Sequence, residues 1–386
     1  MEKLINITGK ALSGEWGIDD EEGIGIPVLR TTNFTNDGII DYSNVITRTI
    51  TKKNIADKFL RKGDIIIEKS GGSDNKPVGR VVYFDNDENK YLFNNFTGLL
   101  RVKDTTKWLP KYIFYSLFAN YQSGGTRRYE NKTTGLHNLQ TDFYVKDFEI
   151  KEISYGEQIE ICELFDGITD LIDKRKRQLE KLDELVKARF VELFIGKGYP
   201  TRTVNEVSLG KGEYGAQSAS AEYDPARPRY VRITDINDDG TLNDDVVASI
   251  NPADDEQYKL EYGDFMFARM GATVGKTYAF IEGNQIFAGY LIRYRLNQEL
   301  INPRYLFWYT RLDEYWNWVK LNQSGAAQPG INAKKYGSLQ IPLPPIKEQN
   351  AFSAFVKQTD KSKLEIQKSL EKLEVLKKAL MQKYFG

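Results

Sequence analysis

The sequence predicts a mixed α/β, β-leaning fold: two similar globular domains, each followed by a long helix, the two helices pairing antiparallel as a coiled coil. Three observations lead there. An apolar seam runs along one helix in the middle of the chain, a second seam of the same step occupies the far end, and a set of short motifs precedes each helix in the same order. The boundaries read as 1–150 for the first domain, 151–196 for the central helix, 197–346 for the second domain and 347–386 for the C-terminal helix.

In the first domain, Asp64–Glu68, Gly79–Phe84 and Tyr91–Val102 are β-rich runs punctuated by Gly, Asn and Asp, the pattern of strands joined by turns. Pro110–Asn120 reads as a helix, because Pro suits a first helical turn. The second domain repeats this plan with strands at Asp264–Ala268, Thr277–Glu282 and Ile286–Leu296 and a helix at Pro303–Val319. Between the halves, Val28–Phe34 matches Tyr230–Ile236, Gly63–Ile67 matches Gly263–Phe267, and Val78-Gly79-Arg80 matches Val274-Gly275-Lys276. Phe96-Thr97-Gly98 is paired with Phe287-Ala288-Gly289, Pro110–Phe114 with Pro303–Phe307, and Gln122-Ser123-Gly124 with Gln323-Ser324-Gly325. So many matches in one order identify an internal repeat.

The central helix spans Glu157 to Phe194. Its seam steps by four and three through Ile161, Phe165, Ile168, Ile172, Arg175, Leu179, Leu182, Val186, Arg189 and Leu193, a coiled-coil pattern. At ~1.5 Å per residue it is about 57 Å long, more than one compact domain needs. Adding 191 to its numbering turns Glu157-Gln158 into Glu348-Gln349 and Leu179–Leu182 into Leu370–Leu373. The second seam is Phe352, Val356, Thr359, Lys363, Ile366, Leu370, Leu373, Lys377, Leu380 and Tyr384, more polar but in the same step. Ile341–Pro345 is a stiff lead-in, since Pro cannot sit inside a helix. A domain of about 150 residues has a radius of gyration of ~15 Å. Parallel helices would make it bridge the whole rod, so antiparallel pairing and a pseudo-twofold repeat follow.

Composition narrows the function. Lys plus Arg equals Asp plus Glu at 54 each, so no overall basic field announces a polyanion partner, and any such surface must be local. His137 is the only histidine and Cys162 the only cysteine, which excludes a zinc site of nitrogen and sulfur ligands and any intrachain disulfide. Cys162 lies beside the seam as a small buried hydrophobe. The start is unlike a signal sequence and no run approaches the ~18 apolar residues of a membrane span, so the cytoplasm is the expected compartment.

The repeated Gly-Asp-apolar run, the Ser-Gly loop, the Pro-rich lead-in, Lys347-Glu348-Gln349 and the Leu-Glu-Lys-Leu helices together resemble the specificity subunit of type I restriction–modification systems. The resemblance covers essentially the whole chain and rests on duplicated order, since each motif alone is short. It implies two target-recognition domains, each reading half of a bipartite, asymmetric DNA sequence. It implies helical spacers that dock two copies of an adenine DNA methyltransferase subunit, and a motor–nuclease restriction subunit that joins for cleavage. It implies no catalytic role and no cofactor.

The residues agree on catalysis. Gly271–Thr277 is one residue short of a P-loop and leads into a strand-like run, not the helix whose N-terminus would hold phosphate. The Asn-Pro pairs at 251 and 302 continue with Ala and Arg, unlike the Asn/Asp-Pro-Pro-aromatic motif of adenine-N6 chemistry, and Asp254-Asp255-Glu256 reads as a solvated loop. For DNA contact, the loop after the first Ser-Gly offers Arg127, Arg128, Tyr129, Asn131 and Lys132, and the second offers Gln323, Ser324, Gln328, Asn332 and Lys334. Arg can pair with guanine, Asn or Gln with adenine, and Lys with phosphate. The matched cations Arg30 and Arg232, Lys69 and Arg269, and Arg80 and Lys276 complete the candidates, although matching suits shared architecture equally well. Lys174–Arg177 on the central helix is a solvated face or a partner or phosphate contact. Two other functions fit the same residues: a coiled-coil scaffold with two protein-binding heads, and an RNA-binding adaptor. The scaffold would bind no DNA at low salt, and the adaptor would need more aromatics in its loops.

Overall fold

The first long helix starts where a Ser-x-x-Glu box places it. Ser154 Oγ accepts from the Glu157 amide at 3.3 Å, and the Glu157 carboxylate accepts from the Ser154 amide at 2.9 Å. From there the computed structural model, which describes residues 1–133, 136–250, 257–325 and 328–386, shows one helix from Tyr155 to Phe194 and a second from Ile346 to Phe385. The first stops before Gly196, whose φ of 71° a side chain would disfavour. Among the described residues no helix is long and apolar enough to cross a membrane.

By contacts the chain forms two compact units, Met1–Lys176 with Lys368–Gly386, and Arg177–Gln367. Each long helix contributes to both. In the first unit the strands Leu12–Ser13, Thr97–Leu100, Ile65–Glu68 and Val81–Tyr83 lie side by side in that order, all antiparallel. Ile65 and Ile67 face the helix Pro110–Gln122 and the long-helix residues Phe165 and Met381. Ile66 points the other way, into a cluster with Leu29, Val82, Phe93 and Leu99. Burial on both faces is why this strand is an unbroken apolar run.

The second unit repeats the arrangement within itself. Its strands Glu213–Tyr214, Leu291–Arg295, Asp264–Ala268 and Thr277–Ala279 take the same order and sense. Phe265 and Phe267 pack toward Tyr305, Phe190 and Phe352, while Met266 and Ala268 join Val231 and Phe287 on the other face. A parallel pair accompanies each sheet: Ile26–Leu29 with Leu92–Phe93, and Arg229–Val231 with Gln285–Phe287.

The helices are antiparallel in both units. In the first, Phe165 near the start of one packs on Tyr384 and Phe385 at the end of the other. In the second, Phe190 and Phe194 meet Phe352. Seam residues Ile161, Phe165, Ile168, Ile172, Val186, Phe352 and Val356 are buried. Leu179, Leu182, Leu193, Ile366, Leu370, Leu373 and Leu380 are half-buried, as a two-helix seam leaves them. Arg189 is a correction: it is exposed and pairs with Glu192 at 2.7 Å, while Phe190 and Phe194 take the inner face. Here the helix packs on a domain core as well as on its partner, and steps of four bring the larger aromatics to Tyr305.

Three expected elements are split. Tyr91–Val102 is two strands interrupted at Asn94–Phe96, Ile286–Leu296 is two strands around a turn, and Pro303–Val319 is two helices, Pro303–Tyr309 and Asp313–Asn322. The repeated Glu-Gln is now explained. Gln158, 1% exposed, accepts from the Leu109 amide at 2.8 Å and donates to Lys107 and Ile153 carbonyls. Gln349, fully buried, accepts from the Asn302 amide at 2.9 Å and donates to Leu300 and Pro344 carbonyls. Each glutamine pins the start of a long helix to the loop before the repeated proline. Replacing Gln349 with Ala orphans a buried N–H and two carbonyls, and is expected to cost about 2 kcal/mol or more, read as a lower urea midpoint. A midpoint equal to wild type would show that the clamp holds nothing.

Candidate nucleic-acid interface

Two of the three matched cation pairs are spent inside the fold. Arg80 is buried. Its guanidinium donates to the Phe34 carbonyl at 2.7 Å and the Thr31 carbonyl at 2.9 Å, and meets Glu68 at 3.2 Å. Burial raises the Glu68 carboxyl pKa, the nearby guanidinium opposing it. Lys276 does the same work in the second unit, donating to the Ile236 carbonyl at 3.1 Å and pairing with Asp238 at 2.8 Å. Arg30 and Arg232 begin matched 3₁₀ turns: their amides donate to Asn33 and Asp235, and their guanidinium groups reach the carbonyls of Asn44 and Val246. Arg232 also pairs with Asp235 at 2.8 Å. Arg80 and Lys276, expected as phosphate contacts, and the DNA-contact candidates Arg30 and Arg232 all give donors to neighbouring carbonyls or carboxylates, although Arg30 Nε and Arg80 Nε are buried without a partner among the described residues. The P-loop-like stretch is a 3₁₀ turn followed by a strand.

The third pair is placed differently. In the first unit the Lys69 amide donates to the Phe96 carbonyl at 2.8 Å, and its own carbonyl accepts from Leu139 at 2.8 Å. In the second unit the Arg269 amide donates to the Tyr290 carbonyl at 3.0 Å, and its carbonyl accepts from Ile331 at 2.9 Å. Each cation thus joins the end of its central strand to the segment after the Ser-Gly motif. Lys69 Nζ contacts Ser13 Oγ at 3.2 Å, and partial burial lowers its pKa. The Arg269 guanidinium lies 4.8 Å from the Tyr214 ring centroid and 6.0 Å from that of Tyr290.

Around Lys69 the first loop is more ordered than a turn. Gly124, at φ 76°, starts a 3₁₀ helix over Gly125–Tyr129, followed by a hairpin of Glu130–Thr133 against Leu136–Leu139. The hairpin pairs with Ser70–Gly72, directly after Lys69. Arg127, Arg128 and Asn131 are exposed; Arg128 lies 3.7 Å from Asp147 and covers the Tyr129 ring at 4.7 Å. Tyr129 is a correction. It is 7% exposed, packs edge-on against Tyr144 and donates its hydroxyl to Asp147 at 2.5 Å, so its ring serves the core. His137 in the same hairpin is buried against Glu130 at 2.8 Å. The Lys132 side chain, Thr134, and residues 251–256 with Asp254-Asp255-Glu256 lie outside the described residues, as do Ala326 and Ala327.

Around Arg269 the second loop closes by paired hydrogen bonds between Ser324 and Gly330, at 3.0 and 2.9 Å. The Gly271 amide donates to the Pro329 carbonyl at 2.9 Å, tying this loop to the turn that follows Arg269. Gln323, Ser324, Gln328 and Lys334 are exposed. Asn332 caps a short helix, its carbonyl oxygen accepting from the Lys335 amide at 2.9 Å. That leaves its NH2 group and one lone pair of the oxygen for a ligand.

Sequence matching missed four residues beside these cations: Ser13 and Phe96 in the first unit, Tyr214 and Tyr290 in the second. Sheet register shifts the match of Phe96-Thr97-Gly98 by three positions. Gly98 opposes Ile67, whereas Ile292, not Gly289, opposes Phe267, so Phe96 corresponds to Tyr290. The shared Phe-x-Gly spelling drew the wrong pairing, and sheet register corrects it. Cys162 is buried, which pushes its thiol up to about 12.

Comparisons with known proteins agree along the chain. A family profile described as the type I restriction modification DNA specificity domain matches twice, over residues 3–183 and 202–378. A Methanocaldococcus jannaschii protein described as the MjaX specificity subunit of a type I restriction enzyme is 23% identical, over 94% of this chain and 87% of its own. The S subunit structure from a type I system of M. genitalium superposes with a TM-score of 0.59 at 16% identity, covering 100% of this chain and 95% of that one. A chain from structures of type I R-M complex assembly and conformational transition gives the same TM-score, 0.59, at 16% identity, covering 99% and 96%.

Proposed function

The chain belongs to the type I restriction–modification DNA specificity family, and on that premise we infer that it is a non-catalytic subunit that reads a two-part, asymmetric DNA target. It positions methyltransferase and restriction subunits there. The observation that carries this reading is a sheet repeated with the same strand order in both units, with Lys69 in one and Arg269 in the other at the same place. One architecture with two unlike, partly exposed chemistries is what two unlike half-sites require. The recognition modules in this reading are residues 1–150 and 197–346, with 151–196 and 347–386 as helical spacers. Their DNA-facing residues are Lys69, Arg127, Arg128 and Asn131 in the first, and Arg269, Gln323, Ser324, Gln328, Asn332 and Lys334 in the second.

The partners are two copies of an adenine DNA methyltransferase subunit and a motor–nuclease subunit, acting in the cytoplasm. Both long helices keep apolar residues exposed, among them Leu171, Leu185, Leu364 and Leu376, which supports docking along them. The test is duplex binding by the chain with its methyltransferase at graded salt. Non-specific affinity falls linearly in log–log form as counterions are released, while the target keeps an advantage of about a thousand-fold or more. Absence of duplex binding even at low salt would instead make the chain a protein scaffold.

A further inference from the structure

Arg269 is a half-buried cation that the fold prepares more completely than its matched counterparts. Its peptide is fixed on both sides, by the Tyr290 carbonyl and the Ile331 amide. Its guanidinium sits within cation–π range of two tyrosines that are themselves open to solvent, Tyr214 at 41% and Tyr290 at 56% exposure. Tyr214 is anchored in turn, its hydroxyl accepting from the Ala333 amide at 3.3 Å. Among the described residues the guanidinium meets no carboxylate, and its polar contact is the weakly accepting Met270 sulfur at 3.5 Å. The matched Arg232 pairs with Asp235, and the matched Lys276 pairs with Asp238.

An arginine steadied against aromatic rings keeps its N–H fork available and has little rotamer freedom left to lose on binding. The fork fits the O6 and N7 acceptors of guanine in the major groove. We propose that Arg269 reads a guanine in one half of the DNA target, with Tyr214 and Tyr290 as its positioning residues. The inference rests on the DNA-reading function above and adds to it a base and a residue. At the matched place Lys69 has no fork, and its neighbours are Ser13 and the exposed Phe96, so this position of the first module offers no equivalent forked contact. A phosphate oxygen pair would accept the same two bonds, and the two sources differ in what they do to sequence preference.

The experiment selects duplexes from a randomised pool with the chain and its methyltransferase assembled. It compares wild type with Arg269→Lys, Tyr290→Ala, Tyr214→Ala and Tyr214→Phe, each checked for a wild-type melting temperature. Arg269→Lys keeps the charge and loses the fork. The expected result is a loss of roughly 10- to 100-fold in preference for guanine at one position of one half-site, the other half unchanged. Either alanine variant should weaken the same preference, and Tyr214→Phe, which keeps the ring, should restore it. Equal weakening on all sequences would mean a phosphate contact and overturn the proposal, as would an unchanged guanine preference in folded Arg269→Lys. If wild type itself selects no two-part motif, the function above fails and takes this inference with it. A two-part wild-type motif insensitive to every Arg269 and tyrosine variant defeats this inference alone.

Discussion

Replacing Phe194 with Ala is expected to destabilise the second unit by about 4 kcal/mol. The side chain is 1% exposed, and its ring lies 5.0 Å from those of Phe190 and Tyr305 and 5.6 Å from that of Phe352. Those three come from both long helices and the domain core, so the cavity has rigid walls on every side and little chance to collapse. Leu185 is the internal contrast. It lies on the same helix but is 49% exposed, and its replacement by Ala should cost under about 1 kcal/mol. Urea unfolding of both variants checks the pair. A loss below about 1 kcal/mol for Phe194→Ala would mean that the helix end does not anchor the unit.

Exchanging residues 1–150 for the equivalent segment of a relative with another target is expected to change one half of the recognised DNA sequence and leave the other half and the gap intact. The reason is local construction. Within the first unit, Lys69 directly follows a strand of the four-stranded sheet, and the hairpin of Asn131, which follows the 3₁₀ turn of Arg127 and Arg128, pairs with the strand immediately after Lys69. Arg269 and the Ser324–Gly330 loop hang from the sheet of the second. Selection with the exchanged chain measures it. A change in both halves, or in the gap alone, would show that the readout is not modular.

Much of this was legible in the sequence because the chain states its plan twice. The long helices announce themselves through a seam sustained over many turns, and the strand Asp264–Ala268 has the bounds its apolar run indicated. The roles of individual cations were not legible. Arg80 and Lys276 match in sequence, as a DNA contact or a structural strut would; only their hydrogen bonds to the Phe34 and Ile236 carbonyls decide for the strut. Tyr214 and Arg269 are 55 positions apart in the chain, and nothing local to either says that strand pairing will bring the ring beneath the guanidinium. The seam fails at Arg189 for a similar reason, because near Phe194 a domain core competes with the partner helix for the inner face.

In this reading one chain carries two readers for two unlike half-sites. Selection from a randomised duplex pool, with the methyltransferase bound and the captured fragments sequenced, tests it most directly. The expected outcome is two short, unlike motifs separated by a gap of fixed length whose bases are free to vary. A single contiguous motif, two identical half-sites, or no enrichment at all would contradict it.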